Sequence, residues 1–297
     1  MFDFREWKLR RIAKRLSYFE LQEPEPGDLE LTEETIKNQL ITHTEPDLFL
    51  NFYTRKGIEN ALKEYGIWDR LLQLGFAPHL TIRPLDERVH LLRITDTDKG
   101  PVLMEMQSRL AVIRAIRPVG FVREGDLFEL LGVEWLMMQH PKKSFTQERP
   151  KLPGQEYPGL NLGREIMILL RIMAERLKLE GVLGFPLYYH NAFLYNARFR
   201  FFSPRREGEL MALQRDLKPL GLATASWALK YGFIFSGLTK EPYTWKSEEM
   251  IWPLSDRVIG YFADKKYQDE MRKNFQETQF YYEKDQILDL LKKLSQN

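Results

Sequence analysis

Apolar and polar positions alternate along this chain with more than one period, and each change of period marks an element. From residue 5 to residue 19, Trp7, Leu9, Ile12, Leu16 and Phe19 recur among Arg5, Lys8, Arg10, Arg11, Lys14 and Arg15, which predicts a basic amphipathic helix. Such a helix either docks on its own domain with a solvated basic face or serves a membrane surface or a partner. The stretch QEPEPGDLELTEE is acidic, with two prolines and a glycine, so it reads as a linker with a boundary near residue 25. Thr32, followed by Glu33 and Glu34, supplies helix-start chemistry. Between Leu50 and Gly75 the positions of Ile58, Leu62, Tyr65, Leu71 and Leu72 predict two helices broken at Gly66 and closed by Gly75.

The period shortens from residue 79 to residue 114. HLTIRP, ERVHLLRIT and VLMEMQSRLAVI predict three antiparallel strands, separated by Pro84 to Asp86 and by DTDKG. DTDKG resembles a calcium loop only in part: Ile94 stands where an acid is needed and Lys99 where a glycine is needed, so it reads as a plain turn. LLGVEWLMMQHP predicts a buried strand ended by Pro141, and KKSFTQERPKLPGQE a long loop of the kind that carries function or disorder. Ile166, Leu169, Leu170, Met173 and Leu177 then mark one face of a helix over 163–178. VLGFPLYYHN predicts a strand, AFLYNARFRFF a short helix and a strand, residues 209–231 a helix, and Lys265 to Leu294 a charged helix pair.

Composition narrows the class. With 297 residues, 43% hydrophobic, 29% charged and a formal net charge of +2, the chain has the balance of an ordinary globular protein and no general nucleic-acid field. The longest apolar runs fall short of the roughly 18 residues that span a bilayer, so no membrane span is expected. The opening MFDFREWKLRRIAKRL has no uninterrupted apolar core, so no export signal is expected and a cytoplasmic location is. The sequence has no cysteine, which removes disulfides, thiolate metal sites and a cysteine nucleophile. No metal site is expected either: the histidines at 43, 79, 90, 140 and 190 include no i, i+4 pair, and His43-Thr44-Glu45 lacks the cysteines that a deaminase motif needs. A Gly-x-Ser-x-Gly elbow is also missing.

The stretch YPGLNLGREIM places two glycines around Leu-Asn-Leu directly before a strong helix. The first amides of a helix have no intrahelical partner and sit at the positive end of its dipole, so they suit an anion. Gly159 and Gly163 let backbone approach a phosphate, Asn161 tolerates a left-handed conformation, and Arg164 adds a fork for phosphate oxygens. The turn reads either as a pyrophosphate cradle or as a glycine turn that joins loop to helix. Neither a Walker loop nor a dinucleotide fingerprint fits it.

PGLNLGREIMILLRIMAERLKLEGV, followed by FPLYYHNAFLYNARFRFF, resembles the coenzyme-A-binding half of the GCN5-related N-acetyltransferase (GNAT) superfamily, over roughly residues 130–202. In that family a glycine-rich turn after the fourth strand opens a helix, and a later strand leads into an Asn-x-x-Ala-x-x-x-Tyr type helix. The resemblance implies that Gly159, Leu160, Asn161, Leu162, Gly163 and Arg164 hold the coenzyme A pyrophosphate. It further implies that Met138 and Gln139 run beside the pantetheine, and that Asn191 and Tyr195 stand at the thioester, with Tyr195 as general acid. Acetyl-CoA or another acyl-CoA would be the co-substrate.

Acyl transfer to an amine also needs a proton acceptor. Glu134 is the first candidate, against the reading of a salt-bridged strand residue, and His190 and His140 are rivals, against hydrogen-bonded structural histidines. Methionines 104, 106, 137, 138, 167 and 173 line either an apolar channel or the core.

The resulting expectation is an α+β fold with a GNAT-like mixed, twisted sheet flanked by helices: a helical extension over 1–75, an acyltransferase domain over 76–235 and a helical extension over 236–297. The expected activity is N-acyl transfer from acyl-coenzyme A by direct attack of a small-molecule or peptide amine, without nucleic acid and with a homodimer allowed. Two alternatives stand beside it. One is a GNAT-like ligand-sensing or protein-interaction module that has lost catalysis. The other is a long-chain N-acyltransferase fed by acyl-carrier protein, with Lys142, Lys143, Arg149 and Lys151 as a docking patch.

Overall fold

The computed structural model describes residues 4–22, 48–115 and 123–295. The expected linker boundary near residue 25, the helix start at Thr32 and the His43-Thr44-Glu45 motif lie outside the described residues. By its internal contacts the chain divides into two units. Met1–Leu110, Leu131–Lys143 and Gly159–Leu177 form the first, and Ala111–Leu130, Ser144–Pro158 and Lys178–Asn297 the second.

In the first unit helix α1 (Phe4–Arg15) is followed at once by the single turn α2 (Tyr18–Leu21). Ser17 starts α2 through a reciprocal capping box with Glu20, two orphan amides satisfying each other's side chains. Thr54 caps α3 (Arg55–Glu64) by accepting the Gly57 N–H at 3.0 Å. Gly57 is required there, because a Cβ would lie 2.1 Å from the Leu21 carbonyl oxygen. Gly66, left-handed with φ 73°, separates α3 from α4 (Ile67–Gln73), as the apolar spacing predicts. Strands β1 (Pro78–Pro84), β2 (His90–Asp96) and β3 (Val102–Arg114) pair antiparallel in sequence order; β3 begins in this unit. The DTDKG turn joins β2 to β3, and its Asp96 accepts the Ala77 N–H at 2.8 Å and pairs with Lys142 at 2.9 Å. Leu91 and Leu92 are both buried, as are Leu103 and Met104, so consecutive side chains on opposite faces of the sheet are covered. Strand β4 (Leu127–Met138) and helix α5 (Gly163–Arg176) complete the unit, β4 entering it at Leu131.

The second unit holds the start of β4 and all that follows α5. β5 (Gly181–Gly184) is buried throughout. The strand expected over VLGFPLYYHN stops after its third residue, at Gly184, because Pro186 has no N–H for a ladder and the Tyr188 N–H is taken by Oδ1 of Asn191, which opens α6 (Tyr189–Tyr195). Next come β6 (Arg200–Phe201) and α7 (Pro204–Asp216), capped by Ser203 with Pro204 in its first turn. The helix expected over 209–231 is two: Pro219 sits in a short 3₁₀ turn (Lys218–Leu220), and α8 (Gly221–Lys230) restarts at Gly221 with φ 69°. Then follow β7 (Phe235–Ser236), β8 (Met250–Pro253), α9 (Asp256–Ala263), α10 (Lys265–Glu277), β9 (Phe280–Tyr281) and α11 (Lys284–Ser295). The helix pair expected at the end of the chain is present as α10 and α11. Gly208 of α7 is a contact point with α10, since a Cβ there would meet the Met271 carbonyl oxygen at 2.4 Å.

The core of this unit is aromatic: Phe128, Phe202, Tyr261, Phe262 and Tyr267 interlock, with Phe202 and Tyr261 stacked at 4.8 Å. Their hydroxyls are satisfied, Tyr261 donating to the Phe202 carbonyl at 3.2 Å and Tyr267 to that of Phe201 at 2.6 Å. The sheet is mixed and seven-stranded, in the order β1-β2-β3-β4-β5-β8-β6, with helices around it. The fold is α+β. β8 comes from the segment read as a helical tail, yet it pairs antiparallel with both β5 and β6 and is an inner strand.

Candidate functional site

The glycine turn belongs to the first unit. Leu160 and Leu162 are buried and pin it, while Gly159, Asn161, Gly163 and Arg164 face outward. Asn161 takes the left-handed conformation that its side chain permits, with φ 61°. Neither glycine has a positive φ; what each leaves is space. A Cβ added at Gly159 would come no nearer than 3.8 Å to anything, the Met138 carbonyl oxygen, and one at Gly163 no nearer than 4.0 Å, the Met138 methyl. Leu162 occupies the N-cap of α5 and gives no side-chain cap. The acid of that turn, Glu165, is drawn to Arg5 at 3.0 Å.

Met138 therefore lies beside both glycines. Gln139 faces its own strand neighbour: its N–H donates to the Leu103 carbonyl at 2.9 Å and its side-chain amide to that of Val102 at 3.0 Å. Glu134 is half-buried and accepts from Nε of Arg109 at 2.5 Å. Arg109 was not among the sequence candidates. The alternation in VLMEMQSRL carries the signal, since Glu105, Gln107 and Arg109 recur every second residue and form a polar row, with Arg93 bonded to Glu105 at 2.7 Å.

In the second unit α6 gathers Asn191, His190 and Tyr195 on one short helix. Asn191 closes the first turn of that helix through its Oδ1. His190 is 4% exposed, lies flat against Tyr188 at 5.5 Å, and its Nδ1 has no hydrogen-bond partner. Burial pushes its pKa down to about 4, so the ring is neutral at pH 7. Burial has the opposite effect on the Tyr195 hydroxyl, raising its pKa and keeping it a proton donor through the neutral range. Phe199 packs against its ring at 5.6 Å. The loop before the turn is tied down in this unit. Trp227 donates to the Lys151 carbonyl at 2.8 Å, and Gly154, with φ 80°, lies under the Tyr188 ring so closely that a Cβ would meet it at 2.5 Å.

No protein-family model and no curated protein matches the sequence. The site rests on its own chemistry. His140 is buried against Phe76, ring centres 4.9 Å apart, with its Nδ1 unpartnered; burial lowers its pKa. Of the proposed docking lysines, Lys142 is spent on Asp96 and on the Gly75 carbonyl at 2.6 Å. Met104, Met106 and Met173 line a cavity of about 650 Å³, part of it open to solvent, with Tyr53, Leu92 and Ile166 among its other walls. Met137, Met138 and Met167 do not line it. Among the described residues no cluster of three or more His, Asp or Glu side chains suits a metal ion, and no helix is long and apolar enough to cross a membrane.

Proposed function

We propose that this protein transfers an acyl group from a coenzyme A thioester to an amine. The observation that carries the reading is the start of α5: a helix without a side-chain cap, entered through outward-facing Gly159, Asn161 and Gly163, with open space at both glycines. A diphosphate suits the positive end of such a helix, and an exposed arginine follows in the first turn. The order of elements adds support. Four strands precede the turn, which opens a helix, and a strand and the short helix carrying Asn191 and Tyr195 follow.

The roles follow from the residues. The amine nitrogen bonds to the thioester carbon and the carbon–sulfur bond breaks; the amine proton passes to a base and the departing thiolate takes a proton. The Tyr195 hydroxyl, held protonated by burial, is the donor to sulfur. For the amine proton Glu134 is the better acceptor, being half-exposed, whereas the neutral His190 is weakly basic and enclosed. No covalent enzyme intermediate is involved.

A second reading is a ligand-binding module without catalysis, favoured by the short Arg109–Glu134 bond, which engages the carboxylate structurally. Calorimetric titration with coenzyme A, combined with thiol release from acyl-coenzyme A over a panel of amines, separates the two. Acyl transfer predicts binding that Gly163→Asp abolishes and turnover that Tyr195→Phe abolishes. Binding without turnover of any amine supports the module, and absence of coenzyme A binding ends the acyl-transfer reading.

A further inference from the structure

The outer face of α1 presents a stripe of exposed cations and aromatic rings. At about 100° per residue, Phe4, Trp7, Lys8, Arg11, Lys14 and Arg15 fall within an arc of about 120°, and all six are exposed. The opposite side is the docking side: Leu9 and Leu16 are buried, and three ion pairs hold α1 to α5, Arg5–Glu165 at 3.0 Å, Arg10–Glu175 at 2.9 Å and Glu6–Arg171 at 3.2 Å. Arg176 of α5 adds bonds to the Ala13 and Leu16 carbonyls. The docking side thus consumes the one acid of the helix, Glu6, and leaves an outer stripe of four cations and two aromatic rings with no acid in it. The stripe continues past the helix. Tyr18 and Phe19 of α2 are 55% and 89% exposed, and the nearby Glu20 is turned back onto Ser17.

Four large aromatic side chains over sixteen residues stay between 44% and 89% exposed, even though Phe4 stacks on Trp7, Arg11 lies over the Trp7 ring and Tyr18 meets Phe52 edge-on, and that exposure costs hydrophobic free energy. Their mixture with lysine and arginine on one stripe selects the occupant. Aromatic rings settle at the level of lipid headgroups, and basic side chains beside them meet anionic headgroups, whereas an acidic protein or a nucleic acid gives the rings less apolar depth. We propose that α1 and α2 bind the surface of an anionic phospholipid bilayer, lying in its interface without crossing it. The inference is independent of acyl transfer.

Co-sedimentation of the full chain with vesicles tests it, using phosphatidylcholine alone against an equal mixture of phosphatidylcholine and phosphatidylglycerol. Binding is expected only to the anionic vesicles and to fall as salt rises. The variant Lys8→Glu/Arg11→Glu/Arg15→Glu should bind at least tenfold more weakly, and Phe4→Ser/Phe19→Ser should also weaken binding while its net charge is unchanged. All these positions are solvent-facing, and the salt series on the unaltered protein needs no variant. Equal binding to both vesicle types, binding insensitive to either variant, or capture of single-stranded RNA or acidic acyl-carrier protein with no uptake by vesicles would each overturn the proposal.

Discussion

Arg109 donates from Nε to Oε1 of Glu134 across 2.5 Å, and both side chains are about one-third exposed, at 30%. The pair fixes where the carboxylate points, but its exposure means it adds only about 0.2–1 kcal/mol to folding. Glu134→Gln is therefore expected to leave the urea midpoint nearly unchanged. As the proposed proton acceptor its loss should lower kcat about 10²-fold. An unchanged kcat in a folded Glu134→Gln protein would reduce this residue to a strand ion pair.

Gly163 and Gly154 make a matched control. Both precede or face candidate binding elements, but Gly163 has negative φ and open space, while Gly154 has φ 80° and the Tyr188 ring 2.5 Å from a would-be Cβ. Gly163→Ala should melt at or above the parent temperature, because restricting the unfolded chain contributes about 0.4–1 kcal/mol where the backbone is compatible. Gly154→Ala should melt lower. Coenzyme A affinity should drop sharply only in Gly163→Asp, where a carboxylate meets the positive end of α5. Thermal melts and calorimetry on the three variants check each step, and a Gly163→Asp protein that retains affinity would contradict the diphosphate assignment.

Much of this geometry was legible beforehand, and the rest was hidden for identifiable reasons. Local chemistry was readable: the break at Gly66, the left-handed Asn161, the hairpins around DTDKG and the helix from Gly163 all follow from backbone preference and short-range period. Non-local pairing was not. β8 enters the sheet between β5 and β6 from a stretch with a single apolar run, and β7 joins β9 across more than forty residues, where no periodicity announces a partner. Burial of charge was hidden as well. In SPRREGELM Arg206 is 6% and Glu207 2% exposed; Arg206 donates to Glu209, Tyr243 and the Lys246 carbonyl and lies over Phe201 and Trp245. The engagements of the candidate residues were not legible, as Gln139, bonded to β3, and Asn191, at its own helix start, demonstrate.

Tyr195 sets the alkaline behaviour of the proposed reaction. Burial raises its pKa above the ordinary tyrosine range, so the hydroxyl stays protonated, and kcat should hold steady on the alkaline side until above pH 10. Tyr195→Phe keeps the ring against Phe199 and removes only the proton, so kcat is expected to fall by about 10²–10⁴-fold with coenzyme A affinity preserved. A fall in affinity with kcat intact would assign the tyrosine to binding instead.

His190 and Glu207, two buried groups of the second unit, should oppose each other as pH changes. His190 titrates near 4 in the fold against about 6.5 when unfolded, so its contribution is complete above pH 6.5 and is lost as pH falls through 4. Glu207 titrates near 7 in the fold against about 4.5 unfolded, despite the Phe201 N–H that it accepts at 2.8 Å, because burial outweighs that bond. Its contribution is complete below pH 4.5 and is lost as pH rises through 7. Between pH 4.5 and 6.5 the unfolded chain protonates His190 while the folded chain protonates Glu207, and the two slopes offset. Measured by urea unfolding against the unaltered protein, whose other titrating groups are common to both variants, Glu207→Gln should add a rise of stability with pH and His190→Gln should add a fall, so the two differences must slope in opposite directions, each by up to about 1.4 kcal/mol per pH unit. Parallel slopes would show that at least one of these groups titrates in the fold as it does in water.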